Sequence, residues 1–260
     1  MRQFCLLLTM MIAFNIGLEN LQAQEPSKHI TFPKPVMAVP DDVVLQQDFS
    51  QTEALNKSTW KKRQGTRWSI EDGVLRGIES SAEFQAQKKD HFGYEPRLSI
   101  PVTPAEFVAQ FSFRFIGGQE TAIVPFIEFG HHVCRIRFNK TGTTVISDGE
   151  TMKLAEDEDF VWKSGQWYHA TAEMKGTEFV INFVDGPTLY AKRDSFANSP
   201  KAGGNGLGVA GPRNGKVELD NLRIWTIKSE EAKNWAKTKE DLSKFKPVQI
   251  KKPKNRLKKK

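Results

Sequence analysis

Three ionisable side chains have the chemistry that cleavage of a glycosidic bond requires. Glu128 and Glu173 fall on the polar side of predicted strands, and glycoside hydrolysis needs two carboxylates about 5–9.5 Å apart across the bond. His169 could act as an acid or a base near neutral pH. Alternatively, both glutamates are ordinary solvent-facing acids and His169 is structural. The choice stays open, because the sequence does not fix the separation of the carboxylates.

The densest polar cluster of the predicted sandwich is basic. His131 precedes Arg135 and Arg137, and Arg114 lies on the polar side of another predicted strand. On one shared face, the forked guanidinium donors would bind carboxylate or sulfate groups of a polysaccharide. The alternative is a polar exterior strand on which an arginine pairs with Glu128. Both interpretations stand.

Trp167 is a candidate for stacking against a sugar ring, because it is in phase with His169 and Glu173 on the polar face of its strand. Tryptophan at the start of a strand also serves in core or rim packing. Cys134 falls among inward-facing apolar residues, where a buried thiol is inert, so it is not a nucleophile. The run GGNGLG precedes a predicted strand and not a helix, so it does not indicate a nucleotide cofactor.

The elements that would position these residues are strands with alternating faces. Phe111, Phe113 and Phe115 share one side of their strand, with polar residues between them. Asp72-Gly73 is a strong signal for a two-residue hairpin. Several strands with one apolar and one polar face predict an all-β protein, an antiparallel two-sheet β-sandwich.

The chain divides into five predicted parts. A positive start followed by a short apolar run is typical of a secretory signal peptide, which predicts export to the periplasm, the cell surface or the medium. Ser229 to Phe245 has helical periodicity, with Pro247 beyond its end. The predicted parts are a signal peptide (1–23), an extended leader (24–42), the sandwich (43–227), a C-terminal helix (228–246) and a disordered basic tail (247–260).

Charge is distributed unevenly along the chain. The net charge is +7, and the segment from Ser243 to the end carries many lysines and no acid. The tail therefore accounts for the basic character, and the predicted sandwich is mildly acidic. Such a tail could hold the protein to an anionic envelope surface, or it could be a solvated, solubilising tail.

Three segments resemble the concanavalin A-like lectin/glucanase superfamily, most closely secreted LamG-like and 3-keto-disaccharide hydrolase (family 16 glycoside hydrolase-like) proteins. They are WSIEDGVLRG, GQWYHATAEMKGTEFVINFVDG and GLGVAGPRNGKVELDNLRIW. The resemblance implies a jelly roll of two curved sheets, a concave face that binds sugar, and a first strand beside the last. The hydrolytic motif Glu-x-Asp-x-x-Glu of the glucanases is incomplete, because Glu218-x-Asp220 is followed by Arg223 where the second glutamate belongs.

The resemblance also suggests a metal site. If the terminal strands pair, Asp48, Asp220 and Asn221 come together, and oxygen ligands of this kind suit a structural Ca²⁺. The alternative is a hydrogen-bonded turn or bulge.

Taken together, the sequence predicts an exported carbohydrate-recognition domain that binds a polysaccharide or oligosaccharide on its concave face. One alternative is a glycoside or 3-keto-glycoside hydrolase or lyase of the same fold. A second is a structural protein of the cell envelope.

Overall fold

A computed structural model describes residues 30–51, 54–121, 123–130, 132–139, 142–147, 150–155, 162–197, 206–242 and 249–250. The predicted signal peptide and most of the predicted basic tail lie outside these residues. In chain order the strands are β1 (Ala38–Gln47), β2 (Lys61–Lys62), β3 (Thr66–Glu71), β4 (Val74–Ser80), β5 (Arg97–Ile100), β6 (Phe107–Ile116), β7 (Phe126–Phe129), β8 (Cys134–Asn139), β9 (Gly142–Ser147), β10 (Glu150–Ala155), β11 (Tyr168–Lys175), β12 (Glu178–Phe183), β13 (Thr188–Lys192), β14 (Leu207–Ala210), β15 (Lys216–Glu231) and β16 (Gln249–Ile250). The helices are α1 (Ala82–Ala86), α2 (Asp194–Ala197) and α3 (Trp235–Leu242).

The strands form two antiparallel sheets. Sheet A has the order β13-β12-β11-β6-β15-β4-β3, and β1 also pairs with β15. Sheet B has the order β16-β10-β9-β8-β7-β14-β5-β2. The prediction of an antiparallel two-sheet jelly-roll sandwich with a short C-terminal helix is confirmed.

The core lies between the sheets and is rich in phenylalanine. The alternate residues Phe111, Phe113 and Phe115 of β6 are buried there, as predicted. Phe113 contacts Phe138 of sheet B with ring centroids 5.3 Å apart, and burying each such ring contributes about 1.5–3 kcal/mol. Cys134 is also buried in this core, and burial raises the pKa of its thiol.

The predicted hairpin at Asp72-Gly73 joins β3 to β4. Both residues have positive φ, 55° and 74°, which is the geometry of a type I′ turn. The hairpin fixes the register in which Arg76 of β4 lies opposite Ser69.

A β-bulge in β15 changes the neighbours of that strand. Asp220 lies opposite Ser112 of β6, but Arg223 lies opposite Gln110, and Asn221 is the extra residue, with a φ of 49°. The extra residue shifts the alternation by one position. The core side chains are Val217 and Leu219 before the bulge and Leu222 and Ile224 after it, so Asp220 and Arg223 lie on the same outer face. Before the bulge β15 pairs with β4, and after it β15 pairs with β1.

Two boundaries differ from the sequence prediction. β1 begins at Ala38, inside the segment predicted as leader, and α3 begins at Trp235 instead of Ser229. The reason is that β15 continues to Glu231, which pairs with Ala38. Lys175 stabilises the end of β15, because its Nζ donates to backbone carbonyls there. The distance from Nζ to the carbonyl oxygen of Ser229 is 2.7 Å.

Within the predicted basic tail, Gln249–Ile250 form β16, which pairs with β10. Among the described residues, no helix has the length and apolar character needed to cross a membrane.

Candidate functional site

Cross-strand pairing arranges polar side chains in rows on the outer face of sheet A, the side turned away from sheet B. Strands β4, β15 and β6 contribute one row, and β15, β6 and β11 contribute the next. Two rows make up the candidate site: the ion-pair row consists of Arg76, Glu218 and Arg114, and the hydrogen-bond row consists of Asp220, Ser112 and His169.

Glu218 is the centre of the ion-pair row. It is 1% exposed, and it accepts hydrogen bonds from Nε of Arg76, at 2.8 Å, and from Nε of Arg114. Arg76 is also paired with Glu71, whose carboxylate lies 2.5 Å from NH1. A buried carboxylate between two guanidinium groups holds both arginines in fixed positions.

Arg114 is fixed on a second side by Trp167. Its guanidinium carbon lies 4.8 Å from the centroid of the indole ring, a cation–π contact. The Arg114 side chain is 12% exposed, and within the described residues its two terminal amino groups donate no hydrogen bond. Arg114 thus presents two oriented amino groups, with four N–H donors, at the partly exposed end of its side chain.

Trp167 does not have the exposure that the sequence analysis expected of a stacking residue. It is 8% exposed, with Arg114 over its ring and the ring of His169 stacked parallel at a centroid distance of 6.5 Å. Its role in the structure is to position Arg114 and His169.

The hydrogen-bond row forms a continuous chain. Nδ1 of His169 lies 2.8 Å from Oγ of Ser112, and Nδ2 of Asn221 donates to the same Oγ at 3.3 Å. The backbone N–H and Nδ2 of Asn221 donate to the two oxygens of Asp220, at 2.7 and 3.0 Å. His169 and Asp220 are therefore linked through two intermediate side chains.

His169 and Asp220, the two ends of this series of hydrogen bonds, have shifted pKa values. Burial lowers the pKa of His169. Burial raises the pKa of Asp220 to about 6, and the charge of Asp48 adds to this effect while the backbone N–H of Asn221 opposes it. Near pH 6 the site therefore holds a carboxyl group that titrates, beside an imidazole that favours its neutral form.

The predicted calcium ligands come together, but their chemistry does not fit Ca²⁺. Pairing of the terminal strands places Asp48 close enough to shift the pKa of Asp220. However, both oxygens of Asp220 accept from Asn221, and Oδ1 of Asp48 accepts from the N–H of Ser50. Ca²⁺ takes six to eight oxygens, and the described residues contain no group of three or more acidic, histidine or cysteine side chains placed to share a metal ion.

Glu173 lies on the outer face of sheet A, as its phase predicts, but it is fully enclosed. Its carboxylate accepts hydrogen bonds from three successive backbone N–H groups, those of Val36, Met37 and Ala38, at 2.7–2.8 Å. Burial raises its pKa in spite of these three donors. Glu173 anchors the N-terminal segment and is not open to a substrate.

The predicted arginine cluster is not formed. Arg114 belongs to sheet A, whereas Arg135 and Arg137 lie on the outer face of sheet B, on the opposite side of the sandwich. Arg135 forms a buried ion pair with Glu128, with Nε and NH2 2.6 and 2.5 Å from Oε2. This is the pairing that the sequence analysis gave as the alternative, and it occupies both residues.

Of the other predicted basic residues, Arg137 binds the protein's own backbone. Arg137 donates from Nε and NH2 to the carbonyl of Thr121, at 3.1 and 2.6 Å. His131 lies outside the described residues.

Glu128 and Glu173 belong to different sheets, so they do not form a facing pair of carboxylates.

Sequence reasoning missed Arg76, Ser112 and the buried position of Glu218. Each is a polar residue at an outward phase of its strand, which was visible from the alternation. Their meeting was not visible, because β6, β15 and β4 are far apart in the chain and only their register brings them together.

No family model matches this chain, and no curated protein is similar to it. Several solved structures are similar to it at low identity. It is similar to a sialidase (13% identity, TM-score 0.47, 75% of this chain and 19% of the sialidase) and to the endo-β-1,3(4)-glucanase SCLam of family GH16 (12%, 0.48, 75% and 95%). It is also similar to the carbohydrate-binding module CBM66 from Bacillus subtilis (10%, 0.39, 65% and 96%).

These neighbours include glycosidases and a carbohydrate-binding module. Because the three identities are 13% or lower and the three TM-scores are below 0.5, the likeness decides neither a ligand nor a reaction for this chain.

Proposed function

We propose that this protein binds carbohydrate on the outer face of sheet A, at the ion-pair and hydrogen-bond rows. The observation that carries the proposal is the fixed position of Arg114, held at Nε by Glu218 and across its plane by Trp167. Donors that are ordered before the ligand arrives lose little entropy on binding.

The chemistry of the two rows suits hydroxyl groups. A sugar hydroxyl both donates and accepts a hydrogen bond. The rows supply the terminal amino groups of Arg114 as donors beside the half-buried imidazole of His169, whose ring nitrogens can donate or accept. Such mixed, oriented polar groups give specificity for a ligand that carries many hydroxyls.

This geometry favours a neutral glycan over an acidic one. The acidic-polysaccharide interpretation required three arginines on one face, and the structure separates them between two sheets. On sheet A both Arg76 and Arg114 form ion pairs with Glu218, which offsets part of their positive charge. The acidic residues Asp48 and Asp220 lie nearby. A carboxylate or sulfate would therefore meet little net positive charge.

The test replaces Arg114 by lysine, which keeps the charge and loses the forked donors. We expect Arg114→Lys to weaken binding to neutral β-glucans or xylan about tenfold, the value of one or two hydrogen bonds. Isothermal titration calorimetry and a glycan array measure this effect, and circular dichroism checks that the fold is intact.

The matched control is Arg67→Lys on the exposed edge strand β3 of the same sheet. Equal affinities for wild type and Arg114→Lys across neutral and acidic glycans would contradict the proposal. A loss confined to acidic glycans would replace it with the acidic-polysaccharide interpretation.

A second candidate function is supported by Asp220, the group on this face whose pKa is raised to about 6. A carboxyl group of that pKa can donate a proton to a leaving group near neutral pH. We propose a glycoside or 3-keto-glycoside hydrolase or lyase as the alternative, with Asp220 as the acid. A screen of glycosides and 3-keto-disaccharides in which Asp220→Asn is inactive would support it, and no turnover by the wild type would reject it.

We also propose that this function is exerted outside the cytoplasm. The support is the signal-like segment 1–23, and the tail offers a way to hold the protein to an anionic surface. Cell fractionation tests export, and deletion of residues 251–260 tests retention. A full-length chain found in the cytoplasm would contradict the proposal.

A further inference from the structure

The outer face of sheet A continues past His169 under the chain's own N-terminal segment. The next row after the hydrogen-bond row contains Thr171 of β11, Gln110 of β6 and Arg223 of β15. Residues 30–35, here called the N-terminal strap, lie over the first two of these. Thr171 is fully buried, whereas Arg223 remains exposed.

The strap is held at this row by side chains of the sheet. Oγ1 of Thr171 donates to the carbonyl of Pro33 at 2.7 Å, and Nε2 of Gln110 donates to the same oxygen at 3.4 Å. The ring of Phe32 packs edge-on against His169 with centroids 6.3 Å apart. The strap therefore contacts a member of the candidate site and covers the row beside it.

The strap can leave without breaking either sheet. Its residues form no strand, and two of the six are prolines, which have no N–H for a sheet ladder. The anchor begins after it, where Glu173 binds the backbone of residues 36–38 and Met37 packs with Val180 and Trp235. Pairing of β1 with β15 begins at Ala38.

The contacts made by the strap are ones that a sugar can replace. The carbonyl oxygen of Pro33 accepts hydrogen bonds from the hydroxyl of Thr171 and the amide of Gln110, as a sugar oxygen does. The ring of Phe32 lies against the imidazole of His169. The freed row would offer a hydroxyl, an amide and the guanidinium of Arg223, in line with Arg114 and Asp220.

We propose that Thr171, Gln110 and Arg223 form a second hydroxyl-binding subsite, which the N-terminal strap masks and which further units of a longer glycan occupy when the strap is displaced. This inference rests on the proposed function. It assigns the strap a role as an internal competitor, so the affinity for long glycans depends on how firmly the strap is held.

The test loosens the strap in the full chain without altering the sheet. Phe32→Ala removes the ring contact with His169, and Lys34→Ala, an exposed residue of the same segment, is the matched control. The probes are cello-, laminari- and xylo-oligosaccharides of two and six units. We expect Phe32→Ala to bind a six-unit probe about fivefold tighter than wild type, with two-unit affinity unchanged and Lys34→Ala equal to wild type.

A second variant shows whether the gain comes from the masked row. In Phe32→Ala/Thr171→Val the hydroxyl is absent, and we expect the gain for six-unit probes to disappear. Equal six-unit affinity for wild type and Phe32→Ala, or a gain that persists in the double variant, would overturn the inference while leaving the proposed function in place. If no form binds any probe of either length, the proposed function itself fails.

Discussion

At the scale of single residues, the candidate site consists of charged groups whose positions are fixed by buried partners. Glu218 holds two arginines, and Asn221 holds Asp220 through two hydrogen bonds. Asp220 is the member of this set whose ionisation responds most clearly to its surroundings, because burial and the charge of Asp48 both oppose its negative charge.

This environment predicts a specific dependence of stability on pH. The pKa of Asp220 is about 6 in the folded state against 3.8 for an unperturbed aspartate, so between these values the folded protein holds a proton that the unfolded chain releases. The contribution of Asp220 is therefore fully present below pH 3.8 and is lost as the pH rises through about 6. Relative to Asp220→Asn, the wild type should lose about 1–3 kcal/mol of unfolding free energy over this range.

Urea denaturation of both proteins at pH 4 and pH 7 measures this difference. Asp185→Asn, at an exposed turn, is the control and should follow the wild type. A difference between wild type and Asp220→Asn that is the same at both pH values would show that Asp220 titrates as an ordinary carboxylate.

At the scale of elements, the outer face of sheet A is divided into a covered and an open part. Helix α3 and residues 36–37 cover β12 and β13, where Trp235, Met37 and Val180 form a small second core. Lys239 of α3 is paired with Glu178 of β12 at 2.6 Å. The strands that carry the ion-pair row are outside this second core.

We expect Trp235→Ala to release α3 and to loosen residues 36–37, because the indole is buried between them. Removal of a buried tryptophan typically costs about 3–5 kcal/mol. Hydrogen exchange should become faster in residues 235–242 and 36–38, while β6 and β15 stay protected.

Trp225→Ala, at a half-buried position on β15, is the comparison and should leave exchange in α3 unchanged. Equal protection of α3 in the wild type and Trp235→Ala would show that the helix is held by its ion pair and not by the second core.

At the scale of the whole molecule, the two outer faces of the sandwich carry different polar groups. Sheet A carries the candidate site, and sheet B carries the buried ion pair of Glu128 and Arg135. Arg135 also packs over the ring of Phe126 at 4.4 Å. Breaking such a buried pair removes a charge partner that the remaining group needs.

We therefore expect Arg135→Met to lower the free energy of unfolding by about 3–5 kcal/mol without changing glycan affinity at temperatures where the protein is folded. The double variant Glu128→Gln/Arg135→Met should recover most of the lost stability, since the buried carboxylate that lost its arginine is then replaced by a neutral amide. Thermal unfolding and titration with the same glycan measure the two effects. Weaker glycan binding by folded Arg135→Met would show that Arg135 contributes to the binding site, contrary to this expectation.

Local pattern was enough to predict an antiparallel two-sheet sandwich, whereas the jelly roll was expected from the family resemblance. Alternation in strands such as β6 and β8 assigned Phe111, Phe113, Phe115 and Cys134 to the core, because side chains of a strand alternate between its two faces. The same alternation assigned Arg114, His169 and Glu173 to polar faces. The Asp72-Gly73 turn followed from the positive φ that its geometry requires.

Only the tertiary structure decided which of these polar residues meet. Alternation tells that a side chain faces outward, but it does not tell to which sheet its strand belongs or which strand lies beside it. Arg114 and Arg135 look equivalent in the sequence, yet pairing over long chain distances places them on opposite sides of the sandwich. The same long-range pairing brings Glu218 to two arginines and lays residues 36–38 on Glu173, since these contacts depend on register between strands far apart in the chain.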